Sequence, residues 1–285
     1  MTGDPGVTAR PTKTFALALG GGGARGLAHI AVIEALDEMG IKPAAIAGTS
    51  IGALVGAAYA AGMHGKNIRR HVIAFAHNPR ETTRRLLAAR AGTLADLFSG
   101  AFGQATQINA EKFCTQFLPD AVPPDFAALS IPLTVVATDL YRREEAAFTC
   151  GPLLPALAAS IAIPGLFRPV VIDGRVLVDG GASDPLPFGH LRGLADVIVA
   201  VDVFGAPTPE RSDLPGAWET LYATVLVMGS AIVAAKLNHA RPDLLIRPNI
   251  GIYRTAEFYQ ASAILRAADA VKAEVKDGLG ALLAA

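Results

Sequence analysis

The apolar positions of this chain alternate between short continuous runs and longer stretches of helical period. Thr14 to Leu19 is an apolar run ending in glycines, as a buried strand feeding a tight turn would be. Gly26 to Met39 follows with Val32, Ile33, Leu36 and Met39 on one helical face and Glu34, Asp37 and Glu38 on the other; Gly40 closes it. Ala44 to Gly48 reads as a second buried strand. Ile51 to Ala61 is an Ala-rich helix closed by Gly62. The order strand, glycine loop, helix, strand, glycine turn, helix is a βαβα start. It predicts a parallel sheet covered on both faces.

The pattern then changes. Lys66 to Arg90 carries seven basic residues against the single acid Glu81 and reads as helix with a break at Pro79. Further helices are expected over Asp96–Phe102 and Ala110–Phe117, then a proline-bearing connection from Pro119 to Pro132. Leu133 to Thr138 is a strong strand, with Ala146 to Thr149 pairing beside it across the charged turn Arg142–Glu145. Leu153 to Ile161 is helical. Val170–Ile172 and Val176–Val178 flank Asp173-Gly174, a hairpin signal. Val197 to Val203 is another buried strand, Ala206 to Pro215 a loop, and Ala217 to Asn238 a long helix. Leu244 to Arg247 is a short strand, and Ala256 to Gly278 a single closing helix. The reading is one α/β domain over 14–280, a three-layer α/β/α sandwich around a mostly parallel sheet. A helical insertion or cap lies at about 63–118, after a disordered tail, 1–13.

Composition narrows the possibilities. Apolar residues make up 52% and charged residues only 18%, so the core is large and the charged surface thin. Formal net charge is 0, which argues against bulk attraction to nucleic acid, and no nucleic-acid partner is expected. Cys114 and Cys150 have neither metal-site spacing nor the number for a disulfide framework, so a reducing, cytoplasmic setting is expected. The polar N-terminus lacks the apolar core of a signal peptide. The uncharged run Thr220–Ala235 falls short of the roughly 20 residues a spanning helix needs. It reads as a buried helix, with a lipid-facing or dimer-facing helix as the alternative.

Three segments carry chemistry. In Gly48-Thr49-Ser50-Ile51-Gly52, a serine sits between a strand and a helix with glycine two residues before and after. That is what a nucleophile projecting from a crowded turn requires, and the helix dipole behind it favours a developing anion. In Gly20 to Gly26, four consecutive glycines present bare amides that bind an anion. The loop lacks a P-loop ending, and the acid that a dinucleotide fold needs is missing, since Glu34, Asp37 and Glu38 lie inside the next helix. An oxyanion hole at Gly21, Gly22 and Gly23 is the better reading. Arg25, with Gly26, either meets a phosphate or shapes the loop. In Val178-Asp179-Gly180-Gly181, an acid at a strand end is placed to take the serine proton, although a turn aspartate capping its own backbone has the same pattern. No histidine stands out as a base. His190 and His239 lack a motif context, His29 reads as packed or capping, and His64, His71 and His77 read as solvated. That favours a Ser50–Asp179 dyad.

The combination GGGGARGLAHIAVIEAL, GTSIGA, ASIAIPGLFRPV and VLVDGGASDPLPF resembles the bacterial patatin-like phospholipase family, in order and spacing, from Leu19 to Phe188. The resemblance implies a serine lipid acyl hydrolase of phospholipase A or lysophospholipase type. Ser50 would be the nucleophile with Gly48 and Gly52 at its elbow, Asp179 the dyad acid, and Gly21, Gly22, Gly23, Arg25 and Gly26 the oxyanion segment. It implies no metal or cofactor, a lipid or acyl-ester substrate, and room for peripheral membrane contact, which the basic run 66–90 would supply unless it is a solvated helix face. The competing readings are a serine acyltransferase, a nucleotide-binding module and a non-catalytic lipid-binding regulator.

Overall fold

A computed structural model describes residues 13–76, 107–204, 214 and 216–285. Eight strands form one mixed sheet: β1 Phe15–Leu19, β2 Ile46–Thr49, β3 Leu133–Asp139, β4 Glu144–Phe148, β5 Val170–Ile172, β6 Arg175–Asp179, β7 Val197–Val201 and β8 Leu244–Ile246. Their order is β5-β6-β3-β2-β1-β7-β8, with β4 also pairing with β3. The pairs from β3 through β2, β1 and β7 to β8 are parallel, whereas β4, β5 and β6 enter antiparallel. The β5–β6 hairpin turns at Asp173 and Gly174, both at positive φ, as a two-residue turn of that hand requires.

The described helices are α1 His29–Met39, α2 Ile51–Ala60, α3 Gly65–Ala76, α4 Ala110–Phe117, α5 Leu153–Ser160, α6 Ala217–His239, α7 Ala261–Ala268 and α8 Val271–Ala284. They lie on both faces of the sheet, and the strands show why. Phe15, Leu17 and Leu19 of β1 point into a large core shared with α1, α2, α5 and α8. Ala16 and Ala18, the alternate positions, face a second core with Leu186, Phe188, Leu191, Val233 and Leu237. Small residues on that face let α6 and a short 3₁₀ turn, Phe188–Leu191, pack close.

Several expectations shift. The first helix does not start at Gly26: a 3₁₀ segment, Gly23–Ala28, precedes α1, because glycines at positive φ prevent regular helix entry. Its polar face is solvated at Glu38 but not at Glu34. Glu34 is buried, held by Arg69 Nε at 2.7 Å and Lys272 Nζ at 2.6 Å, since α3 and α8 close over it. Arg69 is therefore an ion-pair partner rather than part of a free basic face. His71 is likewise tied, through Nε2 donating to Phe117 O at 2.8 Å, which joins the two described ends of the 63–118 stretch. The expected closing helix is two, α7 and α8, with tightened bonds at Asp269 and Lys272 that let Asp269 meet Arg69 and Lys272 meet Glu34. The expected helix Asp96–Phe102, the basic residues from His77 to Arg90, most of the loop 206–215 and residues 1–12 of the tail lie outside the described residues.

Candidate active site

The sheet brings the two chemical segments together through β3. Thr49, the last residue of β2, pairs with Val136, and Asp179, the last residue of β6, pairs with Ala137. Ser50 and Asp179 thus leave the sheet beside adjacent residues of one strand. Ser50 Oγ donates to Asp179 Oδ2 at 2.6 Å.

Ser50 has φ 55°, a left-handed conformation costly for any side chain, and α2 begins at the next residue. The glycines of the elbow are steric necessities. A Cβ on Gly48 would sit 2.6 Å from the Ala53 Cα, and one on Gly52 would run into Leu19 O. Gly26 is needed for another reason, since its Cβ would collide with Ile51 on the first turn of α2. The strained backbone of Ser50 is pinned by a residue to which the sequence reading gave no role. Ser160, fully buried at the end of α5, accepts from Ser50 N at 2.8 Å and donates to Val136 O at 2.6 Å. The one sequence signal for it was a serine inside an otherwise apolar helix.

Asp179 is fixed from both sides. Its N–H donates to Ala162 O at 3.0 Å, its carbonyl accepts from Thr138 Oγ1 at 2.9 Å, and its Oδ1 caps Gly181 N at 2.7 Å. It is thus a capping aspartate whose second oxygen faces Ser50. Although part of the residue reaches the surface, its carboxyl is enclosed. Burial pushes its pKa up to about 6, against the opposing pull of the hydrogen bonds from Ser50 and Gly181.

The glycine loop lies beside this pair, and a Cβ on Gly21 would touch the Ser50 Cβ at 3.5 Å. Gly21 nevertheless leaves the expected donor set, because its N–H is donated to Pro185 O at 2.9 Å. Gly20 N is taken by Val201 O at 3.1 Å, and Ala24 N by Thr255 O at 2.8 Å. Gly22 and Gly23, at φ 150° and 57°, donate none of the described backbone bonds. Arg25 is turned inward. It is buried, and its guanidinium donates to Tyr253 O at 2.7 Å and Gly251 O at 3.2 Å. His29 is packed, as expected, and also holds the loop. Its Nε2 donates to Gly20 O at 2.7 Å, and burial lowers its pKa to about 4, so the ring is neutral.

No histidine contacts Ser50 or Asp179 among the described bonds. His64 faces Asp37 at 3.4 Å, and His190 faces Glu145 at 3.6 Å. Among the described residues the grouping of metal-ligand type is Glu145, Asp184 and His190, where Asp184 Oδ1 already receives Lys236 Nζ at 2.6 Å. No helix of the described residues is long and apolar enough to cross a membrane.

Comparison with known proteins bears on this geometry. Residues 17–192 match the family model "patatin-like phospholipase". An uncharacterized NTE family protein of Mycobacterium tuberculosis is 42% identical over 208 residues, which is 73% of this chain and 54% of that protein. The lysophospholipase nte1 of Aspergillus fumigatus is 33% identical over 196 residues, 67% of this chain and 12% of the relative. The chain thus spans about half the length of its mycobacterial relatives and a small part of the fungal ones. In structure it is similar to VipD from Legionella pneumophila, with TM-score 0.51 and 16% identity over 94% of this chain and 67% of that one, a likeness of fold.

Proposed function

The chain belongs to the patatin-like phospholipase family, and on that premise we propose that it is a serine lipid acyl hydrolase working through a Ser50–Asp179 dyad. The observation that carries the reading is the 2.6 Å hydrogen bond from Ser50 Oγ to Asp179 Oδ2. A carboxylate at that distance is within reach of the hydroxyl proton it must accept.

In the proposed reaction Ser50 Oγ attacks the ester carbonyl carbon while its proton passes to Asp179. The amides of Gly22 and Gly23 receive the oxyanion, a type of contact worth on the order of 3 kcal/mol of barrier per donor. The C–O bond to the alcohol then breaks as Asp179 returns the proton to the leaving oxygen. Water, deprotonated by Asp179, clears the acyl-enzyme and releases the fatty acid. Phospholipid or lysophospholipid is the proposed substrate class, supported by the names of the family and of the fungal relatives.

We take 14–280 as one catalytic unit with an insertion at about 63–118, in a cytoplasmic setting with peripheral membrane contact. The support for contact is α6, where Leu221, Val227 and Met228 are more than half exposed in a stretch without charges from Thr220 to Ala235. Flotation with phosphatidylcholine vesicles should weaken when these three become serine; unchanged flotation removes α6 from the contact.

A fluorophosphonate probe with mass mapping tests the nucleophile, and wild type should carry the adduct on Ser50. Ser50→Ala and Asp179→Asn should each lower p-nitrophenyl ester hydrolysis by at least about 1,000-fold. Hydrolysis that survives either change removes the dyad.

A further inference from the structure

Two consecutive carbonyls of a third segment bridge the serine elbow and the glycine loop. Thr49 Oγ1, one residue before Ser50, donates to Asp184 O at 2.7 Å. Gly21 N, one residue before Gly22, donates to Pro185 O at 2.9 Å. The 184–187 segment lies between two 3₁₀ turns, Gly180–Ala182 and Phe188–Leu191, and outside any strand. Pro185 and Pro187 have no N–H with which to anchor it, and among the described backbone bonds Asp184 N is held by Gly180 O at 2.9 Å.

A side chain from another element adds a further hold. Lys236 of α6 donates through Nζ to Asp184 Oδ1 at 2.6 Å and to Leu186 O at 3.0 Å, so that one ammonium brackets Pro185. The same Nζ stands 4.8 Å over the Phe188 ring. Asp184 is 2% exposed. Its other oxygen has His190 Nε2 at 3.9 Å, which in turn faces Glu145 at 3.6 Å.

We propose that Lys236 is a positioning residue for acyl transfer. By fixing Asp184 and Leu186 it sets where the carbonyls of 184 and 185 stand, and through them the distance between Ser50 and the amides of Gly22 and Gly23. The inference rests on the reading of Ser50 as nucleophile. Lys236 touches neither Ser50 nor Asp179, so its removal leaves the proton transfer pair in place and alters its alignment with the oxyanion donors.

The test compares Lys236→Met, Lys236→Arg and the double variant Lys236→Met/Asp184→Asn in the full chain. Fluorophosphonate labelling, kcat, KM and Tm are read for each. Lys236→Met should lower kcat and the labelling rate by about 10- to 100-fold with KM changed less than about twofold, since misalignment of a remote support falls on the chemical step. Lys236→Arg, whose fork reaches both a carboxylate and a carbonyl, should recover most of that loss. In the double variant the buried uncompensated charge is gone, so Tm should return while kcat stays low. A double variant that recovers both means the pair only stabilises the fold and overturns the proposal. An unchanged kcat in Lys236→Met, or a loss confined to KM, overturns it as well. A wild-type chain without a Ser50 adduct overturns this reading and the nucleophile together, whereas an adduct forming at the wild-type rate in Lys236→Met overturns this one alone.

Discussion

The acidity of Asp179 ties activity and stability to pH in opposite senses. Burial raises its pKa from an ordinary 3.8 to about 6. A base must be ionised, and with that midpoint it is about nine-tenths ionised at pH 7 and about one-tenth at pH 5. The perturbation is therefore pH alone, and kcat/KM for a neutral ester should fall nearly tenfold from pH 7 to pH 5 along a single-ionisation curve. An unperturbed aspartate would lose less than about one-tenth over the same range. The assay is release of fatty acid from a short neutral ester, quantified at each pH, with circular dichroism recorded alongside. The stability sign is the reverse of the usual carboxylate case. The folded chain holds this proton to higher pH than the unfolded chain does. Stability from this group is thus full below about 3.8 and declines as pH rises to about 6, by up to about 3 kcal/mol, then stays level. Asp179→Asn removes the ionisation and should raise Tm by a few degrees at pH 7 while abolishing turnover. A rate profile flat down to pH 4.5, or an Asn variant less stable at pH 7 than wild type, would refute the account of Asp179 as an enclosed base.

Three further outcomes follow from the site's supports. Ser160→Ala leaves Ser50 N and Val136 O unpaired in the interior and should cost about 2–4 kcal/mol in urea titration, with slower fluorophosphonate labelling; a change under about 0.5 kcal/mol would mean Ser160 does not pin the elbow. Gly52→Ala forces a Cβ into Leu19 O, and the expected result is little soluble folded protein; a variant folding with wild-type Tm would contradict the geometry of the elbow. Arg25→Met should reduce hydrolysis of a phosphate-free ester as much as that of a phospholipid, because its guanidinium is spent on Tyr253 O and Gly251 O. A loss restricted to the phospholipid would restore the phosphate-contact reading.

The family model matches residues 17–192, and the likeness to the mycobacterial NTE family protein and the fungal lysophospholipase runs over 208 and 196 residues of this chain. Beyond the matched segment lie further supports: Tyr253 O accepts from Arg25, Thr255 O accepts from Ala24 N, and Lys236 donates to Asp184 and to Leu186 O.

Local chemistry by itself determined most of the elements and the candidate residues. The continuous apolar run of β1, the period of α1 and the glycine spacing around Ser50 are short-range constraints, readable because sterics and periodicity act within a few residues. The Asp173-Gly174 turn is of the same kind. What tertiary structure alone decided are the partners. Asp179 meets Ser50 because β2 and β6 end at neighbouring residues of β3, a registry between segments 129 positions apart in the chain. Gly21 loses its amide to Pro185, Arg25 turns inward to the segment after β8, and Ser160 finds Ser50 for the same reason. Each of these is a hydrogen bond between groups that any sequence of this composition carries in plenty. Which ones meet is fixed only when the sheet sets its order and the helices close over it.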